Sequence, residues 1–167
     1  MKYISSVINS MIEYYAGDAA RIQHFLKVYA FAKTIGEMEN ATDEVQELLE
    51  VAAVIHDIGI KISEEKYQSA AGNYQQVEGP PIAKAMLLKL GYDEEFIERT
   101  CYLIAHHHTY DNIEGLDYQI LVEADFLVNI SEEQMTEQQI QMIKQKIFRT
   151  DTGLAFLKRM YEHEVLA

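Results

Sequence analysis

The chain contains 167 residues and carries a formal net charge of −13, from 14 lysines and arginines against 27 aspartates and glutamates. This acidity argues against duplex nucleic acid and anionic membrane surfaces as partners, because both attract basic patches. Hydrophobic residues make up 49% and charged residues 25%, which is typical of a globular protein, and we expect a single domain over residues 1–167. One cysteine, no signal-like N-terminus and no long apolar run predict a soluble cytoplasmic protein.

Apolar residues recur at helical spacing along nearly the whole chain, and no alternating strand pattern is found. This predicts an all-α single-domain bundle of about seven to nine helices. The first predicted helix ends near Gly17, and the second runs from an N-cap at Asp18 to about Gly36. The third begins at Thr42 and ends near Asp57.

The middle of the chain contains the two prolines, Pro80 and Pro81, and residues 60–79 before them show no clean period. We therefore predict a long loop with one short helical piece over residues 60–79. Further helices are predicted at the following ranges: 80–90, 93–108 and 116–130.

The C-terminal part, residues 131–167, is predicted to contain additional helices beyond the core. Capping-box patterns at Ser131 and Thr136 predict that helices begin there, before a last helix over residues 151–165. His163 is expected to be exposed.

Several side chains that can bind metals lie on apolar helix faces. His24, His56 and Asp125 each continue an apolar stripe, and Asp57 follows at a helix C-terminus, where the macrodipole disfavours a carboxylate. A bound cation would offset that cost. Each residue alone also fits an ordinary hydrogen-bonded core position, but their coincidence favours a metal site.

The run His106-His107-His108 is an unusual internal feature of the sequence. On a helix the three side chains point in directions about 100° apart. Helical periodicity places His107 and His108 on inward-facing stripes and His106 on the polar side. We predict His107 and His108 as ligands and His106 as a surface or rim residue.

Taken together, these residues form an ordered set: a helical histidine, a His-Asp doublet, a histidine cluster and a later aspartate. The set is His24, His56, Asp57, His107, His108 and Asp125. With Arg21 three residues before the first histidine, it resembles the HD-domain metal-dependent phosphohydrolases over residues 18–130, especially small stand-alone bacterial members. The resemblance implies that the first histidine, the doublet and the final aspartate bind one divalent metal.

Members of that family with two metals use three more histidines, two of which correspond to His107 and His108. Glu78 occupies the place of the third, at the start of a Gly-Pro-x-x-Ala-like segment. Glutamate is a competent hard ligand, so Glu78 is either a ligand of a second metal or a solvated loop residue. One or two ions are expected, and Fe, Mn, Mg, Zn, Co and Ni are not distinguished.

The resemblance implies hydrolysis of a small phosphorylated substrate, a nucleotide or related phosphoester, by a metal-activated water. Asp57, Arg21 and Lys61 are the expected catalytic residues, with Arg21 and either Lys61 or Lys84 neutralising the developing negative charge; Lys61 also fits a surface lysine. The alternatives are a di-iron oxygenase-like HD enzyme, a non-catalytic metal- and nucleotide-binding regulatory module, and a purely structural bundle. The sequence leaves open whether the chain forms a homodimer.

Overall fold

The computed structural model describes residues 3–162. Within this range the chain forms nine helices and no strand, which confirms the all-α prediction. The helices are α1 Ile4–Tyr14, α2 Ala19–Met38, α3 Asp43–Ile55, α4 Ile60–Tyr67, α5 Gly72–Lys89, α6 Glu94–His106, α7 Leu116–Glu132, α8 Glu137–Lys146 and α9 Asp151–Tyr161. None of these helices is long and apolar enough to cross a membrane. His163 and the end of the predicted last helix lie outside the described residues.

Side-chain caps set several of the helix starts. Asp18 caps α2, and Thr136 forms a full capping box with Gln139 at the start of α8, as predicted. The prediction that a helix begins at Ser131 is wrong, because α7 continues past it. Ile130 is buried just before Ser131, so the apolar stripe of α7 keeps its last turn packed on the core.

The prediction of a long loop over residues 60–79 is also wrong. Residues 60–67 form α4, and α5 begins at Gly72 and continues through Pro80 and Pro81. The prolines therefore stand inside a helix instead of at its start. A proline has no N–H for the carbonyl four residues earlier, and water can satisfy that carbonyl on the exposed side of α5, where Val77 is 65% exposed.

Two glycines allow α5 to pack closely on its neighbours. An ideal Cβ on Gly59 would lie 2.7 Å from the backbone N of Gly79, and one on Gly79 would lie 2.7 Å from Cγ2 of Ile104. Both distances are too short for real carbon contacts, so these positions favour glycine. The close approach presses α5 against both the turn that follows α3 and helix α6.

Helix α3 lies at the centre of the fold. Its residues from Val51 to Ile55 are at most 1% exposed, and it packs against α1, α2, α6 and α7. This C-terminal part of α3 is apolar on all sides, so other elements must surround it. Its C-terminus therefore delivers the next two residues, His56 and Asp57, into the interior.

Candidate metal centre

The turn after α3 holds His56 and Asp57 in place. The two residues are 1% and 8% exposed. The Tyr15 hydroxyl donates to the backbone carbonyls of Asp57 and Ile58, at 3.1 and 3.2 Å, and accepts from the N–H of Lys61 at 3.3 Å. A buried phenol that follows α1 thus fixes the backbone that carries both side chains.

Four side chains from α2, α7 and this turn converge on one point. Nε2 of His24 lies 3.2 Å from Nε2 of His56, and each lies 3.4 Å from Oδ1 of Asp125. Oδ2 of Asp57 lies 3.7 Å from the first and 3.5 Å from the second of these nitrogens. Two ligands about 2.1 Å from one ion and at roughly tetrahedral or octahedral angles lie about 3.0–3.4 Å apart, so this group has nearly the spacing of a shared cation.

The end of α6 brings two more histidines to the other oxygen of Asp57. Nε2 of His107 lies 2.9 Å from Oδ1 of Asp57, and Nε2 of His108 lies 3.6 Å from the same atom. Asp57 therefore stands between two groups, with Oδ2 toward His24 and His56 and Oδ1 toward His107 and His108. A carboxylate in this position is able to bridge two cations.

His106 is held outside these groups. Its Nδ1 donates to the backbone carbonyl of Tyr102 at 2.7 Å, and the two rings stack at 4.1 Å. Among the described residues, the groups whose ligand atoms approach within 4.8 Å include His107 and His108 but not His106. The orientation of the triplet thus agrees with the predicted division between inward and rim histidines.

Hydrogen bonds from Nδ1 fix the inward-facing nitrogens. Nδ1 of His56 and of His107 donates to the carbonyl of Ala53 and of Ile104, respectively, each at 2.9 Å. A carbonyl can only accept, so these Nδ1 atoms carry the hydrogen and Nε2 of a neutral ring carries a lone pair. At His107 that lone pair faces a carboxylate oxygen of Asp57. Two lone pairs at 2.9 Å require a proton or a cation between them.

Helix α7 supports the site with residues that the sequence analysis did not identify. Nδ1 of His24 donates to Oε2 of Glu132 at 2.8 Å, and Oε1 of Glu132 accepts from Lys27 at 2.6 Å. Nδ2 of Asn129 donates to Oδ1 of Asp125 at 2.9 Å. The i, i+4, i+7 spacing of the three α7 residues was the available sequence signal, because it places them on one helix face.

Burial and charge act in opposite directions on the pKa values of the site. Burial lowers the pKa of His56, but the carboxylates of Asp57 and Asp125 outweigh it and raise that pKa well above its usual value. Burial raises the pKa of Asp57, but the positive charge of His56 outweighs it and brings that pKa well below its usual value. Burial lowers the pKa of His107. The carboxylates are therefore ionised and attract positive charge.

The site opens onto a cavity of about 710 Å³. Its lining includes Arg21 and His24 from α2, Asp57, His108, and residues from α5 and the end of α7. The Arg21 guanidinium is paired with Glu64, through Nη1 to Oε2 at 3.0 Å and Nη2 to Oε1 at 2.6 Å. The one predicted catalytic cation that lines the cavity is thus held by a carboxylate from α4.

Two predicted site residues, Glu78 and Lys61, do not lie beside the histidines and aspartates that could bind a metal. Glu78 accepts from Nζ of Lys66 at 2.8 Å and from the hydroxyl of Tyr67 at 2.7 Å. Nζ of Lys61 donates to the carbonyl of Tyr14 at 3.1 Å. Glu78 thus contacts α4, and Lys61 contacts the end of α1. Both side chains take these directions because the segment predicted as a loop is helical.

A family comparison agrees with this arrangement. The family model for the HD domain matches residues 21–148, a range that includes every residue of the ligand groups. The chain belongs to the HD domain family, which confirms the resemblance seen in the sequence. No curated protein matches the chain.

The fold is similar to that of a solved protein from an uncultured Thermotogales bacterium, described as a predicted HD superfamily hydrolase. The TM-score is 0.68 at 21% sequence identity, and the alignment covers 93% of this chain and 83% of that chain. At this identity the similarity supports the fold.

Proposed function

We propose that the protein is a metal-dependent phosphohydrolase that acts on a small phosphorylated substrate, a nucleotide or related phosphoester. The observation that carries this proposal is the set of inward Nε2 atoms of His24, His56 and His107 around the oxygens of Asp57 and Asp125. Protons can satisfy part of such a set, whereas a divalent cation accepts from all its members. Membership of the HD domain family and a fold shared with a predicted hydrolase support the proposal.

The first cation would be held by His24, His56, Asp57 and Asp125. Imidazole and carboxylate ligands suit Mn, Fe, Co, Ni and Zn. A divalent cation in such a site lowers the pKa of bound water toward neutrality and polarises a phosphoryl oxygen. The protein side chains keep this position dry on the core side, since His56 is 1% and Asp125 3% exposed.

Arg21 is the protein group best placed to bind a substrate phosphate. A phosphate offers the guanidinium the same two-oxygen geometry that Glu64 now provides, with more negative charge. We expect the phosphate to exchange with Glu64 on Arg21. Local positive charge is needed because the chain carries a net charge of −13, which repels anions at long range.

Phosphate release from tag-free protein reconstituted with Mn²⁺ tests the proposal, with a panel of nucleoside monophosphates, triphosphates, cyclic nucleotides and aryl phosphates. We expect turnover by the wild type and by the matched control His106→Ala, and a loss of more than about 100-fold when His56→Ala is combined with Asp57→Ala. The proposal would be rejected if the wild type hydrolysed none of these substrates faster than the double variant does. Iron-dependent oxygen consumption without phosphate release would instead indicate the oxygenase alternative.

A further inference from the structure

The side chain of Gln75 is buried, yet its Oε1 accepts no hydrogen bond within the described part of the chain. Its Nε2 donates to the carbonyl of Ala70 at 2.7 Å. Because a carbonyl only accepts, the amide cannot be turned over, and Oε1 is fixed as the unpaired atom. A buried acceptor of this kind needs a donor or a cation.

Gln75 belongs to a part of α5 that contacts both the turn carrying Asp57 and the ring of His108. Its backbone carbonyl lies 3.0 Å from the position of an ideal Cβ on Gly59, two residues after Asp57. Gly72, one turn earlier on the same face of α5, lies against the ring of His108, where an ideal Cβ would be 3.1 Å from Cδ2. Gln75, Asp57 and His108 line the same cavity.

His108 has the same deficit as Gln75. Its Nε2 is buried without a hydrogen-bond partner in the described residues, and it lies 3.6 Å from Oδ1 of Asp57. A buried amide oxygen and a buried imidazole nitrogen, neither with a hydrogen-bond partner in the described residues, therefore belong to side chains that line one cavity beside an ionised carboxylate. When Nε2 of His108 carries its lone pair, a cation can interact with this nitrogen, the amide oxygen and the carboxylate together.

We propose that Gln75 Oε1 completes a second cation subsite with Asp57, His107 and His108, so that Gln75 takes the ligand role that the sequence left open for Glu78. This inference rests on the proposed metal-binding function of the neighbouring group. An amide oxygen is a neutral ligand, and Asp57 is shared with the first subsite. The second ion therefore binds more weakly than the first, and its occupancy depends on the concentration of free metal.

Titration of metal-free protein with Mn²⁺ tests this inference without any activity measurement. Calorimetry gives the number and affinity of the ions, and electron paramagnetic resonance detects the exchange coupling of two neighbouring Mn²⁺ ions. We expect two ions and a coupled signal in the wild type. In Gln75→Leu we expect the tighter ion to be unchanged, the affinity for the weaker ion to fall at least about tenfold, and the coupled signal to be lost.

Three further variants make the result decisive. Gln46, in the first turns of α3, also has a buried Oε1 without a hydrogen-bond partner. Gln46→Leu therefore controls for the loss of a buried glutamine side chain as such. Glu78→Gln distinguishes Gln75 from Glu78 as the ligand, because we expect the Glu78→Gln variant to bind both ions as the wild type does. Gln75→Glu supplies a carboxylate and should tighten the weaker ion at least about tenfold; it carries the test if Gln75→Leu fails to fold.

Unchanged affinities in Gln75→Leu or in Gln75→Glu would overturn the inference, as would a single Mn²⁺ ion in the wild type. A single ion with phosphate release would leave the proposed function standing. A wild type that binds no Mn²⁺ and releases no phosphate would reject both proposals.

Discussion

Glu132 and His24 form a hydrogen bond of 2.8 Å between the last turn of α7 and the first half of α2. It differs from the bonds that orient His56 and His107, since those rings donate to carbonyls three residues earlier in their own segments. The orientation of His24 therefore depends on tertiary packing. Lys27, which donates to the other oxygen of Glu132, neutralises part of its charge.

Replacement of Glu132 should weaken metal binding without removing a ligand. In Glu132→Ala, Nδ1 of His24 loses its acceptor and the ring loses its orientation, so we expect the affinity for the tighter ion to fall about 10–100-fold. Glu132→Gln retains an acceptor oxygen and should recover part of the loss. Calorimetric titration with Mn²⁺ measures both, with Glu137→Ala on exposed α8 as control. Equal affinities in Glu132→Ala and the wild type would show that the bond does not position His24.

Metal affinity should rise with pH. Burial lowers the pKa values of His24 and His56, but the neighbouring carboxylates outweigh it and raise both above 6.5. Their protons must leave before Nε2 binds a cation, so between about pH 6 and 8 the affinity should increase by up to tenfold per pH unit for each proton released. Titrations in buffers of different ionisation enthalpy count these protons. A release of zero at pH 6 would contradict the expectation.

The same shifts predict an opposite trend for folding of the metal-free chain. A raised histidine pKa contributes stability that is fully present below the unfolded value of about 6.5 and is lost as the pH rises through the folded value. The lowered pKa of Asp57 contributes stability that is present above its unfolded value and is lost on acidification. Urea unfolding of metal-free protein should therefore show lower stability at pH 8 than at pH 6.

The pair formed by Arg21 and Glu64 should affect substrate binding. Glu64→Gln removes the competing charge, and we expect KM to fall several-fold with kcat little changed. Arg21→Ala should lower kcat/KM about 10–100-fold. Arg21→Lys should recover only part of that loss, because an ammonium group cannot form the bidentate hydrogen bonds of a guanidinium. Glu65→Gln, an exposed neighbour, is the control for Glu64→Gln. An unchanged KM in Glu64→Gln would contradict competition at Arg21.

Gly153 and Glu123 set the docking of α9. Glu123 is buried and accepts from the backbone N–H groups of Arg149 and Thr150, at 2.6 and 3.0 Å. An ideal Cβ on Gly153 would lie 1.9 Å from Oε2 of Glu123. We expect Gly153→Ala to reduce the free energy of unfolding by about 2–4 kcal/mol because the carboxylate is displaced from these donors.

Gly17→Ala is the comparison for Gly153→Ala. Gly17 has a φ of +93° but no atom near the position of an added Cβ, so only backbone strain of about 1–2 kcal/mol is expected. Urea unfolding measures both variants. A loss in Gly153→Ala no larger than in Gly17→Ala would show that Glu123 adjusts without cost.

Apolar periodicity predicted α1, α2, α3, α6 and α7, because their buried faces are continuous. It failed over residues 60–79, since the buried face of α5 begins with Gln75 and Gly79 and becomes apolar only beyond the prolines. The contact of α5 with Gly59 involves glycine backbone, which leaves no apolar pattern. Local proline rules then placed the helix start at Pro80. Packing against α6 outweighs that local preference.

The candidate site was predictable where its residues interrupt apolar stripes. His24, His56 and Asp125 stand out because imidazole and carboxylate are unusual on such faces. Gln75 and Glu132 do not stand out: both are polar residues in helices with exposed faces, where polar residues are common. Their roles depend on how α5 and α7 pack against the turn that carries Asp57. The spacing of residues along a single helix does not predict that packing.

Because His56 and Asp57 follow directly on the central helix, a metal ion bound there would stabilise the fold as a whole. The ionised carboxylates of Asp57 and Asp125 repel each other at the core. An ion that binds only the native state adds about 2.7 kcal/mol of stability at 100 times its dissociation constant. Thermal unfolding should therefore shift upward with added Mn²⁺ in the wild type and not in Asp125→Asn. Such a shift would mean that the chain unfolds less readily when metal is plentiful than when it is scarce.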